Sequence, residues 1–548
     1  MHHLSYSSKN PIFQFEDLKL SVQVFTFSNV YEPDSGKLII SQSGQHLNVQ
    51  CNGFCWAGGQ EHIGGFVELS IKQEENRFYA RLHAKHPTEK IRCVKLSILD
   101  CVRGKIANLR QPYLQEQLRE IEDDGLILRY PNGFEGLYTP LAVMQTEHSC
   151  AWFRSLDQTV TPKTFAFLPH GNRCDVELIY EQNARRFAKE IQVPLWEFGF
   201  CGDYETIMQQ QTEWIASTFH LQNWEDRQDV PAWAKKISLI ATMHCEHWTG
   251  YVFNTYKDII SNMRAIANHV APENVLVYLP GWEGRYYYQY GDFHPSDRLG
   301  GADAFREMIE TAHRLGMHVM PMFMINGANP RTDGFAIWGA SSLYTNPSGY
   351  PQIWGSCDWD TSRHYDHNCG FPLNPAAPLW QDRLVSQVNT LIDQFQFDAV
   401  FMDLAAVYCN DRKFDVLEGT LNVARRIRKE HPNILMAGEG WYDALSAEYP
   451  LTQPSLTESG DCRWSDRPHP ALFNRFNRCF SHLGTGDVSR GSTGVFESGY
   501  NHITEIAPLR KGIIPTITIV DGTLSNAPER AEIIFEQARE YCKRFIKK

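Results

Sequence analysis

The chain predicts two folds in series, an N-terminal all-β sandwich and a C-terminal α/β domain of the (β/α)8 TIM-barrel class. Three observations predict this. Residues 1 to about 200 alternate apolar and polar side chains with period two. From Trp233 onward, near-continuous apolar runs alternate with amphipathic stretches. Two of those apolar runs, Phe397 to Asp403 and Ile434 to Glu439, end in a carboxylate.

In the first part, Leu18, Leu20, Val22 and Val24 alternate, as do Phe66, Glu68, Ser70 and Lys72, and then Phe78, Ala80 and Leu82, with turn residues between them. Many short strands at this spacing read as a sandwich over residues 1–200. Residues 201–232 read as a helical linker, with a helix from Asp203 to Phe219 and a polar stretch that ends at Pro231. Residues 233–548 read as the barrel. Expected strands are Ile237 to Met243, Val275 to Leu279, His318 to Ile325, Ala399 to Met402, Ile434 to Ala437 and Ile513 to Val520. Strands six and seven are expected between Leu456 and His502. Expected helices run from Tyr256 to Ile266, through Phe305 to Leu315, through Leu384 to Phe395, from Asp415 to Glu430 and from Pro528 to Lys547. A long insertion covers about 326–378. A doubly wound open sheet is the alternative, but no Gly-x-Gly-x-x-Gly follows any strand.

Composition narrows the function. Net charge is −12, which argues against nucleic acid as a partner. No run of about 18 apolar residues is present, so no membrane span is expected. No basic-then-apolar leader is visible and the 14 cysteines are scattered, so a reduced, cytoplasmic protein is expected. Oligomeric state is not legible. The serine-hydrolase elbow and phosphate-binding loops are missing, and no cofactor is expected.

The chemistry concentrates on the strand ends, which form the active-site rim of such a barrel. Asp403 and Glu439 lie 36 residues apart, about one strand–helix unit, and neighbouring strands would aim both acids into one cavity. Two carboxylates on one pocket are the equipment for cleaving a glycosidic bond. Other rim positions are expected to contact a carbohydrate substrate: His244, Glu246 and Trp248 after strand one; Trp282, Glu283 and Arg285 after strand two; Asn326 after strand three; Trp359, Asp360 and His364 in the insertion; Trp441 after strand five; and Arg463 and Trp464 further on. His244 and Glu246 also leave a metal-dependent hydrolase open, although no metal site of recognised spacing is present. A non-catalytic carbohydrate-binding barrel is the remaining alternative.

The layout resembles that of retaining α-glycoside hydrolases of the α-amylase-superfamily kind, closest to the endo-α-N-acetylgalactosaminidase-like families 101 and 129. The resemblance covers the architecture of the whole chain, and its specific residues are the two strand ends. It implies that Asp403 is the nucleophile and Glu439 the acid/base. Barrels that place the acid/base, an Asp, on strand six instead keep Asp461 open as the alternative.

Overall fold

The computed structural model describes residues 10–107, 120–132, 137–200, 202–247, 250–284, 289–352, 371–453, 474–480, 509–520, 522–526 and 528–546. The chain divides into two compact units. One comprises Met1–Trp214, Asn346–Gly349 and Asn410–Lys413; the other comprises Ile215–Thr345, Tyr350–Cys409 and Phe414–Lys548.

The first unit is a 15-stranded sheet in which the pairings are antiparallel. Val30–Pro33 links its two halves, pairing with Leu18–Thr26 on one side and His46–Trp56 on the other. The inner faces of the halves meet in a single core. Phe153 lies 6.3 Å from Phe167, and Phe165 stands edge-on to Trp196 at 5.5 Å. The period-two alternation read in the sequence is the alternation of these inner and outer faces. Buried cations of this unit are paired, Lys163 most deeply. Lys163 is fully buried and bonds Asp157 at 2.6 Å, with the Thr161 carbonyl at 2.9 Å, so its charge is matched and its donors are used.

The second unit is a nearly closed parallel barrel. Its strands are β1 (Leu239–Met243), β2 (Val275–Leu279), β3 (His318–Met324), β4 (Ala399–Asp403), β5 (Leu435–Glu439), β6 (Leu451–Gln453), β7 (Arg478–Phe480) and β8 in two pieces, Ile513–Ile514 and Thr516–Ile519. Each strand pairs in parallel with the next. The last piece of β8 returns to pair with β1. Pro515 separates the two pieces; it has no N–H to donate, but its carbonyl accepts from Ile240 at 2.9 Å.

Every residue of β1, β2, β4 and β5 is buried, as a strand covered on both faces requires. Inside, the Tyr278 ring packs on Phe401 at 4.6 Å and Phe480 at 5.7 Å, so β2, β4 and β7 share one packed layer. The helices start where their caps dictate. Thr255 and Asp258 form a reciprocal capping box at the head of Tyr256–Ile266. The Asp415 side chain accepts the Glu418 N–H at the head of Val416–Glu430. Pro378 opens Pro378–Phe395.

Two expectations need correction. Strand six lies at Leu451–Gln453, ahead of the 456–502 window, because a three-residue strand following Pro450 carries no periodicity. The single last strand expected from Ile513 to Val520 is broken at Pro515.

Candidate active site

Asp403 is the last residue of β4 and Glu439 the last of β5. Phe401 pairs with Ala437 and Met402 with Gly438, so the next rung carries the two acids side by side on the same face of the sheet. Both are more than nine-tenths buried. The Tyr290 hydroxyl donates to Oδ2 of Asp403 at 3.3 Å. The Leu404 N–H donates to Oε2 of Glu439 at 3.0 Å.

That second bond depends on an uncommon backbone. Leu404 has φ = +56°, a left-handed conformation that a branched side chain disfavours. The Asn326 amide Nδ2–H donates to the Leu404 carbonyl at 3.0 Å and so holds the turned peptide from the β3 side. Gly438 makes room for it: a Cβ there would stand 2.9 Å from the Ala405 Cβ. Gly440, at φ = +70°, turns the chain immediately after Glu439.

Around this pair the rim is dense in buried polar groups. Glu283 follows β2 and is fully buried. Burial, with the nearby Asp403 and Glu246 charges, pushes its pKa up to about 8 against one backbone hydrogen bond. Glu246 follows β1, is 1% exposed and is paired by the Arg298 guanidinium. His244 is fully buried, and burial together with His247 holds its pKa well below the usual histidine value. Tyr278 is pushed well above its ordinary value by burial and by the charges of Asp403, Glu439 and Glu283.

Among the residues singled out from the sequence, the strand-end set Asp403, Glu439, Glu283 and Asn326 comes together here. The amide of Asn326 is used on the Leu404 carbonyl. Trp282 is fully buried, stacks on Phe305 at 5.0 Å and donates its indole N–H to the Met322 carbonyl at 2.7 Å, so its ring packs the barrel wall. Trp441 is buried as well, with its indole N–H on the Ser446 hydroxyl at 2.9 Å. Trp248, Arg285, Trp359, Asp360, His364, Asp461, Arg463 and Trp464 lie outside the described residues. Tyr290 and Tyr278 were not singled out; a contact bridging 113 positions, as from Tyr290 to Asp403, leaves no local pattern. Gln453, which sits beside Glu439 in the sheet, was also missed because its strand has only three residues.

Among the described residues one group of three or more side chains is spaced to hold a metal ion: Asp100, His170 and Asp175 on the antiparallel sheet. His244 and Glu246 form no such group with a third described ligand.

A family model described as a domain of unknown function, DUF6259, matches residues 198–420. No curated protein matches the chain. Among solved structures, the α-N-acetylgalactosaminidase NagBb of Bifidobacterium bifidum is similar, at a TM-score of 0.61, 12% identity and coverage of 97% of this chain and 93% of that one. Its complex with Gal-NHAc-DNJ gives a TM-score of 0.64 at 12% identity, covering 97% and 90%. The GH36 α-galactosidase AgaA of Geobacillus stearothermophilus gives 0.52 at 12% identity, covering 97% and 74%. At these identities the likeness is one of fold: an antiparallel sheet unit and a parallel barrel, as in these glycoside hydrolases.

Proposed function

We propose that the protein is a glycoside hydrolase that cleaves an α-linked O-glycosidic bond with retention of configuration. The observation that carries this reading is the lateral pairing of Asp403 and Glu439 at the ends of β4 and β5. Retaining glycosidases need two carboxyl groups roughly 5–5.5 Å apart, and adjacent parallel strands lie about 4.8 Å apart. Asp403, which accepts the Tyr290 O–H, is the nucleophile: a hydrogen bond to the carboxylate favours the ionised form that attacks. Glu439 is the acid/base. Its Oε2 accepts the Leu404 N–H, which fixes the carboxyl group that gives a proton to the leaving oxygen and takes one back from water.

The likeness in fold to an α-N-acetylgalactosaminidase and to α-galactosidases supports the α linkage and a galactose-configured sugar. Families 101 and 129 are the affiliation proposed. The domains proposed are a β-sandwich over 1–200, a helical linker over 201–232 and a complete (β/α)8 barrel over 233–548. Glu246, Glu283 and Asn326 line the rim that receives the sugar.

The test is hydrolysis of aryl α- and β-galactosides and N-acetylgalactosaminides by the wild type and by Asp403→Asn and Glu439→Gln. Losses of roughly a thousandfold or more are expected in Asp403→Asn. Full activity in both variants would remove the assignment, and Asp461→Asn is the control for the alternative acid/base.

A further inference from the structure

Glu283 differs from the described rim acids Asp403, Glu439 and Glu246, each of which has a partner on another residue. It is fully buried, and among the described residues neither carboxyl oxygen has a hydrogen-bond partner on another residue; its one backbone contact is with its own N–H. A buried polar group left in that state costs about 1–3 kcal/mol, and a buried unpaired carboxylate costs far more.

The place it occupies is rigid. Trp282, the residue before it, is fixed at three points: its carbonyl accepts the Tyr256 hydroxyl at 2.6 Å, its indole N–H is on the Met322 carbonyl at 2.7 Å, and its ring stacks on Phe305. The backbone of the preceding turn is tied too, with the Glu246 N–H on the Gly281 carbonyl at 3.2 Å. A side chain mounted so firmly does not reach its unpaired state through slack in the loop. The charges that bear on it are negative, Asp403 from β4 and Glu246 from the turn after β1. The Arg298 guanidinium that faces this corner is engaged with Glu246.

We propose that Glu283 binds the sugar in its protonated form, donating its O–H to an acceptor oxygen of the bound ring while Asp403 beside it stays ionised. This rests on the glycosidase reading of the same site. The division of labour follows from the charges. Two neighbouring carboxylates already claim the negative charge this corner tolerates, so a third acid is accommodated only as a neutral group, and a neutral carboxyl can donate where a carboxylate can only accept. The class of ligand is thereby set: an uncharged ring that presents a hydroxyl, ether or amide carbonyl oxygen to β2, and not an anionic sugar such as a uronate or sialic acid.

Glu283 titrates inside the pH window of the experiment, and Glu283→Gln separates its share from that of Glu439 and His247 at the same rim. The other titratable groups it influences are Cys245, Tyr256 and Tyr278, all raised well above their ordinary values, and His244 at the same rim is held far below its own. None of these changes charge between pH 6 and 9, whereas Glu283, at about 8, does.

The experiment measures the binding of N-acetylgalactosamine, galactose and raffinose by calorimetry at pH 6 and pH 9, in the wild type, Glu283→Gln and Glu283→Leu, with thermal unfolding of all three at both pH values. The wild type is expected to bind one of the sugars about tenfold less well at pH 9 than at pH 6. Glu283→Gln keeps a neutral donor, so it is expected to bind about threefold more weakly than the wild type at pH 6 and to lose most of the pH dependence. Glu283→Leu, which removes the donor, is expected to bind about tenfold or more weakly at pH 6 while unfolding no earlier than the wild type. A wild type that binds none of the three sugars overturns both the glycosidase reading and this proposal. A wild type that binds, together with a Glu283→Gln variant that loses all binding at pH 6 or keeps the full pH dependence, overturns this proposal alone; so does a Glu283→Leu variant that binds like the wild type.

Discussion

The backbone N–H of Leu404 donates to Oε2 of Glu439 at 3.0 Å, so the residue that follows the first acid holds the second. Nucleophile and acid/base, as proposed, are therefore coupled through a single peptide, and Asn326 grips that peptide by its carbonyl.

Asn326→Ala should loosen this coupling. The partly buried Leu404 carbonyl loses its donor, which costs about 1 kcal/mol of stability. The functional sign follows from the bond on Glu439: with the peptide held less firmly, the Leu404 N–H fixes that carboxyl group less well, and kcat should fall about tenfold while KM changes little. A variant that unfolds earlier while keeping the wild-type kcat would show that Asn326 only supports the fold.

Azide separates the two acids. With Glu439→Ala and a substrate carrying a good leaving group, azide should intercept the glycosyl-enzyme and give the α-glycosyl azide. With Asp403→Gly it should attack from the face the nucleophile left and give the β-glycosyl azide. The anomer of each product, read by proton NMR, checks the roles; the reverse pattern would exchange them.

Trp282 should matter for stability before it matters for sugar. Trp282→Phe removes the indole N–H from the buried Met322 carbonyl and should cost about 1–3 kcal/mol in denaturant melts. Trp282→Ala also empties the stack on Phe305 and should cost about 3–5 kcal/mol. A large rise in KM with unchanged stability in Trp282→Phe would instead mark it as a sugar platform.

Asp398, at the opposite end of β4 from Asp403, predicts a different pH dependence. Burial raises its pKa, but hydrogen bonds from His313 and His318 outweigh that and leave it below the usual value. The same carboxylate raises the pKa of His313. The depressed Asp398 stabilises above its unfolded pKa of about 3.8 and loses that contribution as pH falls through the folded value. The raised His313 stabilises fully below about 6.5 and loses its share as pH rises through the folded value. Asp398→Asn should therefore destabilise more at pH 5.5 than at pH 9, by about 1 kcal/mol between the two once exposure of His313 is allowed for. Equal losses at both values would remove the ion pair as the cause.

The sequence exposes the barrel wherever its strands are continuous apolar runs flanked by amphipathic helices. Val275–Leu279 and Tyr256–Ile266 fall where the pattern places them. Leu451–Gln453 and Arg478–Phe480 do not, because three residues set no period. The two strand-end acids are legible since a carboxylate closing an apolar run has no packing reason to be there. What surrounds them is not. The Tyr290 hydroxyl, the left-handed turn at Leu404 and the unpartnered state of Glu283 are products of burial and long-range contact, and side-chain type along the chain does not encode them. Trp282 shows the converse: an aromatic in a Gly-rich loop that the fold uses as core.

Pro515 has a consequence for assembly. β8 is the piece that completes the ring, and it does so by joining Ile240 to Thr516, 276 residues apart (516 − 240). Such a contact comes late, since the loop it closes must be ordered first. Until then Leu239–Met243 would present an open edge, apolar at every position but Thr242, the kind of template on which chains of the same sequence stick to one another. The split seam thus marks where a slow-folding or destabilised variant is most exposed to aggregation during synthesis.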